Sequence, residues 1–284
     1  MSAIIEINHL SKSYGKHRGV EDVSFTVEEG DIFGFLGPNG AGKATTIRSM
    51  LGLISFDGGE IRLMGQDARK HRSSVLSEIG YMPSEAMFYP NLTVKETISF
   101  AAQMRESGRM SSGKSRKDME QEAAKLCERL QVDKSKRIRE LSLGNRKKVS
   151  IVCAMQHRPK LFIFDEPTSG LDPLMQAEFF QLIQEYVTEG ATCMLSTHIL
   201  SEVKNYCNRV AIMKEGLLQK VDFTENLTRS HVKRIKMLRD GKQEDYIYKG
   251  DLNDLYKELQ GHDIKDILIE EPSLDEIFMH YYEA

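Results

Sequence analysis

Residues 37–43, G-P-N-G-A-G-K, carry the strongest chemical signal in the chain. Glycines allow successive backbone N–H groups to turn towards one point, and a helix opening directly after them adds the positive end of its dipole; the two together make a cradle for phosphate. A lysine in the place of Lys43 reaches the β- and γ-phosphates of a nucleoside triphosphate. The apolar run at residues 32–36 reads as a strand entering this loop, and Ile47, Met50, Leu51 and Ile54 share one face of a helix leaving it. The next position departs from the pattern. A Ser or Thr there would place its hydroxyl on Mg²⁺, and this chain has Ala44. Thr45 is expected to be no substitute, because one step along a helix rotates a side chain by about 100°. Another water can fill the shell of Mg²⁺, which commonly keeps several. The expectation is retained ATP binding with weakened metal placement.

A second chemical group closes another apolar run: residues 161–164 lead into Asp165 and Glu166. In a Walker B pair the first carboxylate holds Mg²⁺ through its shell and the second orients or deprotonates the attacking water. Leu141-Ser142-Leu143-Gly144-Asn145 lies upstream, Ser169-Gly170-Leu171-Asp172 follows, and Thr197-His198 ends the next strand. Arg146, Lys147 and Lys148 form a basic run that reads as a solvated helix face, with contact to a γ-phosphate or a partner as the other reading.

These groups need a scaffold, and the pattern of the 284 residues supplies one. Short β-patterned runs at residues 4–10, 23–27, 31–36 and 60–64 make a strand-rich opening. Residues 92–156 turn to long charged, helix-forming stretches, broken by Gly, Ser and Lys at 107–115. From residue 161 strands and helices alternate, with a helix at 173–189 and strands at 192–196 and 209–213, which implies a parallel sheet with helical crossovers. Past residue 223 the pattern restarts. Residues 232–238, 245–248 and 267–269 read as strands, Leu252, Leu255 and Leu259 as a helical stripe, and Ser273 with Glu276 as a capping box.

Composition narrows the classes. With 39 Lys and Arg against 42 Asp and Glu, the net charge of −3 offers no basic surface for a nucleic-acid phosphate backbone. No apolar stretch approaches the roughly 20 residues of a membrane-spanning helix, and the opening residues lack the pattern of a secretory signal. Cys127, Cys153, Cys193 and Cys207 are widely spaced and read as buried reduced thiols. The length exceeds one ordinary core, so a large domain with a smaller appendage is expected.

Taken in order, these motifs resemble those of the nucleotide-binding subunit of an ATP-binding cassette (ABC) transporter over nearly the whole chain. The resemblance implies an α/β P-loop NTPase fold with a mixed sheet: a RecA-like core at residues 1–84 and 157–223 with N-terminal antiparallel strands, a helical signature subdomain at 85–156 and a small α+β appendage at 224–284. It implies that Tyr14 stacks on adenine, and that Gly37, Asn39, Gly40, Ala41, Gly42, Lys43, Ala44 and Thr45 surround the phosphates. Asp165 takes the metal aspartate's place, Glu166 that of the catalytic glutamate, Asp172 that of the D-loop aspartate and His198 that of the switch histidine. Ser142 and Gly144 of the signature loop contact the γ-phosphate held by the opposite subunit, which implies a head-to-tail dimer. Lys43, Glu166 and His198 converge on the γ-phosphate.

Two departures stand against the family pattern. Leu143 and Asn145 replace the usual glycine and glutamine of the signature loop, and Ser84 and Glu85 follow Pro83 where a metal-ligating glutamine is usual. Glu85, a hard oxygen donor, could approach the metal, making an altered site rather than a dead one. The single cassette, the L-S-L-G-N loop and residues 273–282 resemble bacterial exporters of the ABC-2 type that carry peptides or antibiotics. The implied partners are a separate transmembrane permease and a second ATPase subunit, homodimeric or heterodimeric, with no nucleic acid. The implied location is the cytoplasmic side of the membrane. A soluble ATP-gated switch on the ribosome or on DNA, and a nucleotide binder without turnover, are the other readings.

Overall fold

Apolar runs long enough to be buried on both faces become the central strands of the protein, and the alternating runs become the half-buried ones. The computed structural model describes residues 2–15, 17–107, 115–228 and 232–270. In chain order the elements are β1 Ala3–Tyr14, β2 His17–Glu28, β3 Ile32–Leu36, α1 Lys43–Met50, β4 Gly58–Leu63, β5 Gln66–Asp67, α2 Arg72–Ser77 and β6 Ile79–Met82. Then follow α3 Val94–Ser107, α4 Arg116–Arg129, a 3-10 turn at Ile138–Glu140, α5 Leu143–Met155, β7 Leu161–Asp165, α6 Pro173–Thr188, β8 Thr192–Thr197, α7 Leu200–Tyr206, β9 Arg209–Lys214 and β10 Leu217–Phe223. The last group is α8 Thr224–Thr228, β11 Val232–Arg239, β12 Lys242–Lys249, α9 Leu252–Leu259 and β13 Ile264–Glu270. The chain divides into two compact units, Met1–Val221 and Asp222–Ala284.

In the first unit a six-stranded sheet has the order β10-β9-β3-β8-β7-β6, with β3, β6, β7, β8 and β9 paired in parallel. Every residue of β7 and β8 is buried. A four-stranded antiparallel sheet, β2-β1-β4-β5, packs on it through Phe25, whose ring stacks on Phe33 at 5.5 Å and lies 5.3 Å from Phe35. On α6, Phe179 meets Phe164 edge to face at 5.4 Å. The register aligns the carboxyl ends of the strands: Leu36 sits opposite Thr197, Asp165 opposite Ser196 and Met82 opposite Phe164. At the start of β3, buried Asp31 accepts hydrogen bonds from Arg209 at 2.9 Å, Asn208 at 2.7 Å and the backbone N–H of Glu28 at 2.9 Å.

The inserted segment is largely helical. Thr93 and Glu96 cap α3 reciprocally, and Ser115 and Asp118 make a capping box on α4. Residues 108–114 of the Gly, Ser and Lys break lie outside the described residues, as do 271–284 with the Ser273–Glu276 box. Five elements were not expected: β5, α2, β6, β10 and α8. Helix α1 also stops at Met50, so Ile54 falls beyond it and only Ile47, Met50 and Leu51 of the expected stripe are buried.

The second unit is a three-stranded antiparallel sheet, β12-β11-β13, with Ile235, Met237 and Leu255 as its core. Leu259 packs against that core, whereas Leu252, the first residue of α9, is 45% exposed and leaves the expected stripe. Among the described residues the four cysteines are free, and no helix is long and apolar enough to cross a membrane.

Candidate functional site

Parallel strands deliver their loops to one end of a sheet, and the candidate residues arrive there together. The loop from β3 to α1, the segments at the ends of β6 and β7, the first turns of α5 and the β1–β2 hairpin surround a cleft of about 450 Å³. Its walls include Tyr14, Asn39, Gly40, Ala41, Gly42, Lys43, Ala44, Thr45, Glu85, Asp165 and Glu166. Gly42 is the N-cap of α1 with φ of 100°, a conformation that favours glycine, and no side chain caps the helix. The opening of α1 is thus left to a ligand, with its dipole aimed at the cleft. Thr45 lines the cleft beside Ala44. The first turn of a helix that meets a cavity end-on presents successive residues around its rim.

Lys43 is buried and folded back on the loop, donating to the carbonyls of Gly37 at 2.6 Å and Pro38 at 3.1 Å. Burial lowers its pKa from the ordinary lysine value, against the pull of the Glu166 and Asp165 carboxylates. Its ammonium is 3.8 Å from a carboxylate oxygen of Glu166.

The carboxylate pair is organised by one residue of the neighbouring strand. Ser196 Oγ donates to buried Asp165 at 2.5 Å and accepts from the backbone N–H of Glu166 at 3.1 Å, while the Ser196 carbonyl accepts from the same N–H at 3.2 Å. Glu166 has φ of 48°, in the left-handed region. Its carboxylate lies 3.4 Å from His198 Nδ1, so Lys43, Glu166 and His198 form one group.

Other expected residues stand apart from the cleft walls. Gly37 supplies a carbonyl to Lys43 and anchors its own N–H on Thr197 O at 3.2 Å. Ser142 caps α5 by accepting from Asn145 N, and Asp172 caps α6 by accepting from Met175 N at 3.0 Å. Gly144 packs so closely that a Cβ on it would lie 2.5 Å from the carbonyl of Gly170. Tyr14, by contrast, lines the cleft and is 46% exposed.

Lys147 corrects the reading of residues 146–148 as a solvated face. It is 4% exposed, lines the cleft, and donates to the carbonyls of Glu166 at 2.5 Å and Ser84 at 2.9 Å; Lys148 is buried as well. The ends of β6 and β7, distant in sequence, close over this turn of α5, which a local charge pattern cannot reveal. Ser84, Leu143, Ser169 and Ser196 were also missed. For Ser196 the one available signal was its place opposite the acidic pair on the next strand.

A divalent metal of the Mg²⁺ type needs hard oxygen donors and accepts waters and phosphates for the remainder of its shell. Asp165 and Glu85 put two carboxylates on the same cleft, and no cluster of three or more metal-binding side chains occurs among the described residues. This donor set fits a magnesium–nucleotide complex and does not fit a metal held wholly by protein.

Residues 20–169 match the sequence model of the family described as ABC transporter. The chain is 38% identical over 225 residues to the bacitracin transport ATP-binding protein BcrA of Bacillus licheniformis, covering 78% of this chain and 71% of that one. It is 34% identical over 224 residues to the probable multidrug ABC transporter ATP-binding protein YbhF of Escherichia coli, covering 76% of this chain and 36% of the relative. A solved structure described as the ATP binding subunit of an ABC transporter superposes with a TM-score of 0.76 at 27% identity, over 98% of this chain and 99% of that one. With its phosphate loop and acidic pair gathered on one cleft and His198 in contact with Glu166, the chain belongs to the ABC transporter family, as an ATP-binding protein of that family.

Proposed function

We propose that this protein hydrolyses ATP to power export of an amphipathic cargo, of the peptide or antibiotic class, through a separate transmembrane permease. The observation that carries the reading is Glu166, on the wall of the cleft at the opening of α1, with Lys43 at 3.8 Å on one side and His198 at 3.4 Å on the other. ATP would lie along the loop with its adenine against Tyr14. Its phosphates would draw Lys43 away from the carbonyls of Gly37 and Pro38 and meet the N–H groups of residues 40–45. Glu166 takes a proton from the attacking water, and His198 holds the carboxylate and the γ-phosphate in line. Asp165 and Glu85 would hold Mg²⁺, which supplies charge neutralisation on the phosphates. Ala44 contributes no hydroxyl to that shell.

Ser142 and Gly144 lie outside the cleft walls of their own chain, which supports their service to a second subunit in a head-to-tail pair. The domain limits at residues 84, 156 and 223 are part of the same proposal, as is the position on the cytoplasmic side of the membrane. The relative named for bacitracin transport supports an antibiotic-type cargo. Ala44 favours one competing reading, a nucleotide binder without turnover, and Glu166 beside His198 favours hydrolysis over it.

Glu166→Gln tests the reading. ATP affinity should stay within about threefold of the parent while turnover falls by roughly 100-fold or more, as expected on losing a general base. Unchanged turnover removes Glu166 from that role.

A further inference from the structure

Lys147 is a buried cation that the proposed mechanism leaves unused. Taking an ammonium out of water is costly unless its protons are placed on acceptors. Here two of its three donors meet backbone carbonyls from two segments, Ser84 after β6 and Glu166 after β7. Both segments border the cleft, and the ammonium feels the carboxylates of Glu166, Asp165 and Glu85. Glu166 itself holds a left-handed backbone, which is unfavourable for a side-chain-bearing residue and persists only where neighbours over-determine it. Both of its backbone polar groups are pinned: the N–H by Ser196 and the carbonyl by Lys147.

Resting on the hydrolytic reading of the cleft, we propose that Lys147 is a positioning residue for Glu166, its ammonium bridging the carbonyls of Ser84 and Glu166 and so fixing the backbone from which the Glu166 carboxylate is aimed. Lys147→Met keeps the apolar stem and removes the donors. Misplacement by about 1 Å can cost on the order of 100-fold in rate, so kcat should fall roughly 10- to 100-fold. KM for ATP, and ATP affinity measured with magnesium chelated, should stay within about threefold. Lys147→Arg, which restores donors, should recover part of kcat.

The decisive measurement is a double-mutant cycle with Glu166→Gln. If Lys147 acts through Glu166, adding Lys147→Met to Glu166→Gln lowers the remaining turnover less than about twofold. Losses that multiply, or a fall in ATP affinity equal to the fall in kcat, overturn the proposal. If the parent protein shows no hydrolysis, the ATPase reading fails by itself and the tether is judged by amide hydrogen exchange without nucleotide. Faster exchange in Lys147→Met confined to residues 84–88 and 164–169 upholds it, and unchanged exchange there refutes it.

Discussion

On the proposed reading, Ala44 would separate two functions that one residue usually joins, seating the phosphates and ligating their metal. The loop backbone and the opening of α1 would still meet the phosphates, so the deficit would fall on the metal. Ala44→Ser should increase turnover at low Mg²⁺, with the two rate curves converging at high Mg²⁺; a parent that stays inactive at every Mg²⁺ concentration while the serine variant works would instead be a binding-only form. A second residue-scale expectation concerns Cys153, which is half-buried where a buried thiol was expected, and whose thiol desolvation pushes up to about 12 from an ordinary value near 9. As pH rises past 9 the unfolded chain gives up this proton and the folded chain keeps it. The contribution to stability is therefore complete below pH 9 and is lost on the way to pH 12. Urea midpoints measured at about pH 8 and pH 10.5 should show a smaller drop for Cys153→Ala than for the parent.

Helix α1 begins where it does because Gly42 can adopt a positive φ and nothing else fits. An added Cβ would lie 2.6 Å from Val20 Cγ1 and 3.1 Å from the Gly19 carbonyl. Gly42→Ala should cost about 1–3 kcal/mol in thermal denaturation and weaken ATP binding in equilibrium dialysis, since strain and overpacking act together. Elements of this kind, built from a turn residue and an apolar run, were readable beforehand: β3, β7, β8 and the loop at residues 37–43 all stand where their local pattern put them. The short β5 and α2 were not, because two and six residues are too few for a period to emerge. Lys147 and Ser196 failed for another reason. Their roles come from pairing between strands and from packing against loops remote in sequence, and neither leaves a trace in the residues beside them.

At the scale of the molecule, every residue lining the cleft belongs to the first unit, and the second has its own core of Ile235, Met237 and Leu255. A chain ending after residue 228, which keeps β10 intact, should stay folded and bind ATP within about threefold of the full protein; loss of binding would make the second unit part of the site. Within the first unit the cleft lies at the carboxyl ends of the parallel strands and the Asp31–Asn208–Arg209 network at the start of β3. That separation implies two independent kinds of failure. Substitutions in the buried charge network limit how much protein a cell accumulates, because an orphaned arginine or aspartate is expelled from a folded interior. Substitutions of exposed side chains around the cleft, away from Gly42 and the buried lysines, should leave abundance alone and change what the accumulated protein does. A mutational scan read separately for cellular level and for turnover would resolve the chain into these two populations.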